Sequence, residues 1–505
     1  MTRISATAPR ISQVKDRPRL TWWSLATAAL AVPVWWFVIA SGVMSRAIDG
    51  GIFLSVIGGL QDGLPLYSGV WDNKDPLFYG VMLAAASVVD AAPFLLDWLW
   101  VPVASLGAWL IARPLMSADR ALLVGLVAAP FVMTGPFYVA GWTNTPGTAL
   151  ALLSLGLLSC RRAVAAGVVI GLLAFTKLLV WPVGVASLLV LLVFPSRRRD
   201  AARGLVTLAG TVAIGMALLA VVGWLGGYVD ALQRNRAYSS DVTVYFGFED
   251  SPWGHLTKLA GDWSTGSWVA VAAVVLVAVV TAVLLAVRAT WRTSERVLLA
   301  AWLWIAILGT LGVLGLTYVW PHHAQFAYLP TVLAVVALTA IIPERWPYLV
   351  AVALVVVGTW LMTGTGSPST WLDRHAAARD SFAARWDEIR EVPTDARLLL
   401  TVPGSEFTYA RLGSNDDRGY LYDAPPSARL SCAQFHLYDF SPPADFERML
   451  ECIQDVDVVV MTDSFVVFGN GGRAASVQPI LQYVDYAFTC LRVDDRQVCT
   501  RKPGL

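Results

Sequence analysis

"DGLPLYSGVWDNKDPLFYG", residues Asp62 to Gly80, interrupts a chain built mostly of Ala, Val and Leu. Its nineteen residues hold four charged side chains, two prolines and four aromatics. A charge placed in hydrocarbon must be solvated, paired or used. The stretch therefore reads as a polar loop between apolar segments, with Pro76 marking where the chain re-enters them.

Around that loop the composition is extreme. Of 505 residues, 56% are hydrophobic and only 14% charged, against about 25% charged in soluble domains, and the mean hydropathy is +0.60. Apolar runs of near-spanning length fill residues 21–364, whereas the remainder has ordinary soluble composition. The pattern predicts a polytopic α-helical membrane protein with a small C-terminal α/β domain. No internal repeat and no basic-aromatic groove for nucleic acid is visible.

Charge distribution orients the chain. The first twenty residues carry Arg3, Arg10, Lys15, Arg17 and Arg19 against Asp16, which predicts a cytoplasmic tail and a retained first helix rather than a cleaved signal. Further cytoplasmic markers are "PSRRRDAARG" (195–204), Arg161-Arg162, "RATWRTSER" (288–296) and "PERWPY" (343–348). Alternation from these anchors puts the 45–76 loop, "GWTNTP" (141–146), Lys177, the 226–266 loop, "WPHH" (320–323) and everything after about residue 365 on the outer face. Between Asp75 and "ARPLMSADR" (112–120) lie two apolar stretches, 77–92 and 97–112, where parity allows an odd number of crossings. One of them is expected to be re-entrant, interfacial or half-spanning, leaving 11 full crossings in all.

Residues 366–394 read as a linker, beginning in "TGTGSPS" (363–369), with an amphipathic helix near 371–391. Residues 395–505 then run strand (396–403), helix (445–454), strand (455–464), helix (477–484) and hairpin. "FGNGGR" (468–473) lacks phosphate-loop spacing and is assigned as a turn. Cys432, Cys452, Cys490 and Cys499 fall in this outward tail, where disulfides persist. In "CLRVDDRQVC" a two-residue turn at Asp494-Asp495 sets residue 490 opposite 499, at a spacing that suits a disulfide. That leaves Cys432 to pair with Cys452.

Extended backwards, the opening stretch begins "SRAIDGG" (45–51), so that Asp49 directly follows the first apolar helix. The sequence here resembles the first outer loop of the GT-C superfamily of polyprenyl-phosphate-dependent glycosyltransferases. The residues that carry the resemblance are Asp49, "GLPLY" (63–67) and "DNKDPLFY" (72–79), with weaker similarity at "GLLAFTKLLVWP" (171–182) and "WPHHAQFAYLP" (320–330). The families concerned are aminoarabinose transferases, protein mannosyltransferases and actinobacterial arabinofuranosyl- and mannosyltransferases. Two departures stand out: Gly50 follows Asp49 where many relatives have an acidic pair, and Asp75 stands where a second Pro is common.

The resemblance implies Asp49 as general base toward an acceptor hydroxyl and Lys74 as the cation against the leaving lipid phosphate, with inversion at the sugar. Lys177, His322, His323 and Arg236 are further candidates for the donor phosphate, and Asp72, Asn73, Tyr67 and Asn144 for support of the site. Each has a plainer reading. Lys74 and Lys177 could snorkel, Arg234 and Arg236 could be solvated charges, the two histidines are far from a metal set by spacing, and Trp71, Tyr67 and Tyr79 could belong to an interface belt. With Asn144 rather than an acid in the second outer turn, no metal ligands are assigned. No cofactor is assigned, though a divalent cation is compatible with the loop. The implied partners are a polyprenyl-phosphate sugar donor, a cell-envelope glycan, lipid or protein acceptor, and the bilayer. The competing class is a polytopic transporter or lipid flippase, for which inverted repeats and matching interrupted helices are the expected signs; the sequence shows neither.

Overall fold

The computed structural model describes residues 21–44, 72–88, 96–134, 143–233, 294–316, 325–343, 345–365, 398–402, 406–408, 457–462, 478–493 and 496–504, with residues 53, 56, 57, 60, 61, 63, 65–68, 235, 279, 435, 436, 447, 450, 451, 453 and 454. Its larger part is helical. Among the described residues, Trp22–Ile39, Pro195–Val221 and Glu295–Val313 are long and apolar enough to cross a bilayer. Shorter apolar helices pack beside them at Pro76–Ala86, Asp97–Ala112, Ala163–Thr176, Trp181–Val193 and Gln325–Ile341. These helices make the protein a membrane protein. Helix Pro76–Ala86 stops after 11 residues, a rise of about 16 Å against roughly 30 Å of hydrocarbon, whereas Asp97–Ala112 runs for 16. Of the two apolar stretches between Asp75 and Arg113, the first thus has the shorter helix.

Helix ends are tied down by side chains the sequence supplies. Thr21 Oγ1 accepts the Ser24 N–H (3.1 Å), an N-cap for helix Trp22–Met44, and donates to Asp119 Oδ2 (2.8 Å). Arg120 donates to Ile342 O (2.9 Å), just past helix Tyr328–Ile341. Arg197, 2% exposed, donates to Leu158 O at the end of helix Asn144–Ser159 and pairs with Asp200 at 3.2 Å. Guanidinium groups placed on C-terminal carbonyls satisfy acceptors that the helix leaves open. These links hold Asp119 against Thr21, Arg120 against Ile342, and Arg197, opposed by the charge of Arg161, against Leu158.

Small residues let the helices approach closely. A Cβ on Gly107 would lie 2.5 Å from the Leu152 carbonyl carbon, and one on Gly156 would lie 2.6 Å from Gly107 O, which locks helix Asp97–Ala112 against Asn144–Ser159. Helices Ala163–Thr176 and Arg198–Val221 cross in the same way at Gly167 and Gly204. Gly107→Ala is expected to destabilise the detergent-solubilised protein by about 1–3 kcal/mol through overpacking. Gly210→Ala, with nothing within 4 Å, is expected to hold or raise stability. Thermal unfolding of the two variants checks both; equal midpoints would sink the close-packing account.

In the tail, strands β1 (Leu398–Val402), β2 (Glu406–Thr408), β3 (Phe435–His436), β4 (Val458–Thr462), β5 (Phe488–Val493) and β6 (Arg496–Arg501) form one sheet in the order β3-β2-β1-β4-β6-β5. Strands β1 and β4 are parallel and every other pair antiparallel. Strands β1 and β4, helix Gln478–Ala487 and the terminal hairpin lie where the sequence predicted them; β2 and β3, too short to show alternation, were not expected. Cys490 faces Cys499 across the hairpin and the two are disulfide-bonded. Arg501 reaches the carbonyls of Ile453 (2.8 Å) and Gln454 (2.7 Å) and lies over the Phe488 ring. Cys432, Cys452, the 371–391 helix and the glycine turn at 468–473 lie outside the described residues.

Candidate functional site

At the end of the bundle away from the arginines, three polar segments meet. The first precedes helix Pro76–Ala86. Asp72 is fully buried; its Oδ1 accepts the Asn73 backbone N–H (2.6 Å) and its Oδ2 accepts the Tyr79 hydroxyl one turn into the helix. The carboxylate thereby folds the loop back onto the helix it leads into. Lys74 Nζ donates to Asn73 Oδ1, lies 3.7 Å from Asp72 Oδ1 and sits 5.6 Å over the Phe53 ring. Its carbonyl accepts the Tyr67 hydroxyl (2.7 Å). Tyr67 has φ 71°, a backbone region uncommon for a bulky residue. Packing holds it there: its ring is 5.6 Å from that of Tyr228, and a Cβ on Gly227 would come within 2.8 Å of its own.

Asp75 connects this loop to the turn that follows Thr176 and to Tyr228. Its Oδ2 accepts the Leu178 N–H (3.0 Å) and its Oδ1 the Tyr228 hydroxyl (2.9 Å). Burial pushes the carboxyl up from its ordinary range, against the pull of the Leu178 N–H, Lys177, Tyr228 and Lys74. Burial and then the Asp75 charge push the Tyr228 phenol up, so it stays a donor.

The second segment is the turn between helices Ala163–Thr176 and Trp181–Leu189. Lys177 leaves helical geometry at φ −157°, ψ 87°, and Pro182 helps restart the chain. The Lys177 stem lies against Gly147, where a Cβ would be 2.8 Å away. Its ammonium donates to Thr143 Oγ1 (2.9 Å) and sits 5.7 Å over the Phe326 ring. Thr143 and fully buried Asn144, at the start of helix Asn144–Ser159, are the third segment. Lys74 and Lys177 are near enough for their charges to oppose one another. Two cations held beside buried carboxylates form a place where an added anion would relieve repulsion. Beside Lys177 an apolar cleft is lined by Val180, Val183, Val313, Phe326 and Leu329.

Of the residues singled out from the sequence, the structure brings together Tyr67, Asp72, Asn73, Lys74, Asn144 and Lys177. Asp49, Arg234, Arg236, His322 and His323 lie outside the described residues. Chain neighbours of three of them reach the same place: Asn73 Nδ2 is 3.5 Å from Asn235 Oδ1, and Gln325, two residues past His323, is fully buried next to Phe326. Two expectations are corrected. Tyr67 and Tyr79 do not form an interface belt; they are 3% and 0% exposed, with hydroxyls bonded inside the loop. Nor does Lys177 snorkel: it is 8% exposed and bonded to Thr143. Asp75's latch and its partner Tyr228 were missed, because no local signal joins residues 75, 178 and 228. Among the described residues no group of three or more His, Cys, Asp or Glu side chains could hold a metal ion.

No protein-family model matches the sequence, and no curated protein matches it. Solved structures do. The chain is similar to ArnT from Cupriavidus metallidurans bound to undecaprenyl phosphate, with 14% identity and a TM-score of 0.54 over 96% of this chain and 99% of that one. It also matches the Archaeoglobus fulgidus oligosaccharyltransferase tethered with an acceptor peptide, at 12% identity and a TM-score of 0.48, over 95% of this chain and 74% of that one. The chain therefore shares the fold of that ArnT structure over nearly the whole length of both.

Proposed function

We propose that this protein is an inverting glycosyltransferase, a hexosyl- or pentosyltransferase, that moves one sugar from a polyprenyl-phosphate donor to a cell-envelope glycan, glycolipid or protein on the extracytoplasmic face. The observation that carries the reading is the pairing of Lys74 with Lys177 around the Asp75 latch, in a fold shared with a protein solved with undecaprenyl phosphate bound. In this reading the donor phosphate lies between the two ammonium groups, and its lipid leads away past the apolar side chains beside Lys177. Asp49 takes the proton of the acceptor hydroxyl as its oxygen attacks the anomeric carbon; the bond to the phosphate breaks, and the phosphate leaves with the electron pair. His322, His323 and Arg236 would complete the phosphate's surroundings. Lys74 and Lys177 then belong outside, the arginine-rich end faces the cytoplasm, and the chain makes about eleven crossings. Residues 21–365 form the transferase domain, and 395–505 an outer domain in which Cys432 pairs with Cys452.

Distribution of polarity favours an enzyme over a translocation path. Several buried hydroxyls between the two ends bond within their own helices, Ser105 to Val101 O, Thr134 to Pro130 O and Ser154 to Ala151 O, while Thr310 bonds across to Phe326 O. Such hydroxyls do not make a polar file through the bilayer. The test is transfer of radiolabelled sugar in membranes from a panel of polyprenyl-phosphate sugars, including mannose, arabinofuranose, galactose and glucose. One donor is expected to turn over with inversion. Silence across a panel that turns over with a control transferase would refute the proposal, and sugar-independent lipid movement in vesicles would support a flippase instead.

A further inference from the structure

The arginine-lined end holds more positive charge than helix capping uses. Arg197 is ion-paired with Asp200 (3.2 Å), and Arg198 Nε donates to Leu192 O (3.0 Å). Arg161, Arg162, Arg199 and Arg203 remain, all exposed and with no ion-pair partner among the described residues. The fold puts them side by side. Arg162 and Arg203 each precede a residue of one helix contact, since a Cβ on Gly204 would lie 3.1 Å from Ala163 O, and Arg161 is near enough to Arg197 for their charges to oppose. Arg199 and Arg203 are one turn apart on helix Arg198–Val221.

Below these heads, both helices expose apolar rows. Helix Ala163–Thr176 presents Val164, Val168 and Leu172 at four-residue spacing, and helix Arg198–Val221 presents Val206, Ile214, Leu218 and Val221. A cationic head above two adjacent apolar rows matches a molecule with a negative head and two hydrocarbon tails. It is a poor match for a soluble anion, which gains nothing from the rows. We propose that Arg161, Arg162, Arg199 and Arg203 bind the headgroup of an anionic phospholipid, whose acyl chains lie along the rows led by Val164 and Val206. If the arginines served only to orient the chain during insertion, they would show no lipid preference once the protein is folded.

The experiment measures retained lipid by native mass spectrometry, and thermal stabilisation, for the full-length protein in a neutral detergent titrated with phosphatidylglycerol or phosphatidylcholine. Phosphatidylglycerol is expected to bind and to raise the unfolding midpoint, with an affinity that falls as salt rises. R199Q/R203Q should weaken it roughly 30-fold, and R199K/R203K should retain most of it. Because the lysine pair keeps the charge, it separates a lost headgroup contact from a damaged fold. Equal binding of phosphatidylcholine, equal stabilisation by inorganic phosphate alone, or an unchanged affinity in the glutamine pair would each overturn the proposal.

Discussion

Lys177→Met is expected to lower the rate of sugar transfer about 10²–10³-fold, the size of loss seen when one pre-oriented group facing developing negative charge is removed. Methionine keeps the length and apolar stem that pack on Gly147 and Phe326 but carries no charge. The cation is held in place before any donor arrives, by Thr143 Oγ1 at its tip and by a turn whose Leu178 N–H is fixed to Asp75. An ammonium so fixed need not reorganise as charge builds on the departing phosphate, so the loss should fall on kcat more than on KM. Single-turnover measurements at saturating donor, on protein with an unchanged unfolding midpoint, provide the check. A variant that transfers at near the unmodified rate would remove Lys177 from the site.

Asp49→Asn is expected to reduce transfer by about 10²–10⁴-fold, the range for loss of a general base, and to flatten the rise of kcat with pH. Phe53 is the first described residue after it in the chain. It is 1% exposed, packs against Phe78 (5.1 Å) and Tyr79 (6.3 Å), and lies under the Lys74 ammonium. A pH profile and rate identical to the unmodified protein's, at matched amounts of folded protein, would assign the base elsewhere.

Lys177 was visible in the sequence because it is a lone charge in an apolar background, where a bland role is costly, and Lys74 because it stands between two acids in a polar interruption of that background. Their surroundings were not. That Lys177 bonds Thr143 instead of reaching for the interface depends on a turn 34 residues away. That Tyr67 and Tyr79 point inward depends on Asp72 and on the ring of Tyr228. Hydropathy reports how much of a segment prefers oil, and such contacts are invisible to it. The membrane fold was legible because apolar length is a local property; the terminal hairpin was legible because register between two neighbouring strands is nearly local too. Strands β2 and β3, with three and two residues, exist only as additions to β1 and leave no period to detect.

That hairpin has a bearing on how the tail matures. Sliding one strand by a single residue would turn every side chain on it to the opposite face, swinging Arg501 away from the carbonyls of Ile453 and Gln454. The Cys490–Cys499 bridge joins directly opposed residues, so only the native alignment is compatible with it. Within the hairpin the bridge therefore records the alignment: once it is closed, the two strands can no longer slip past one another.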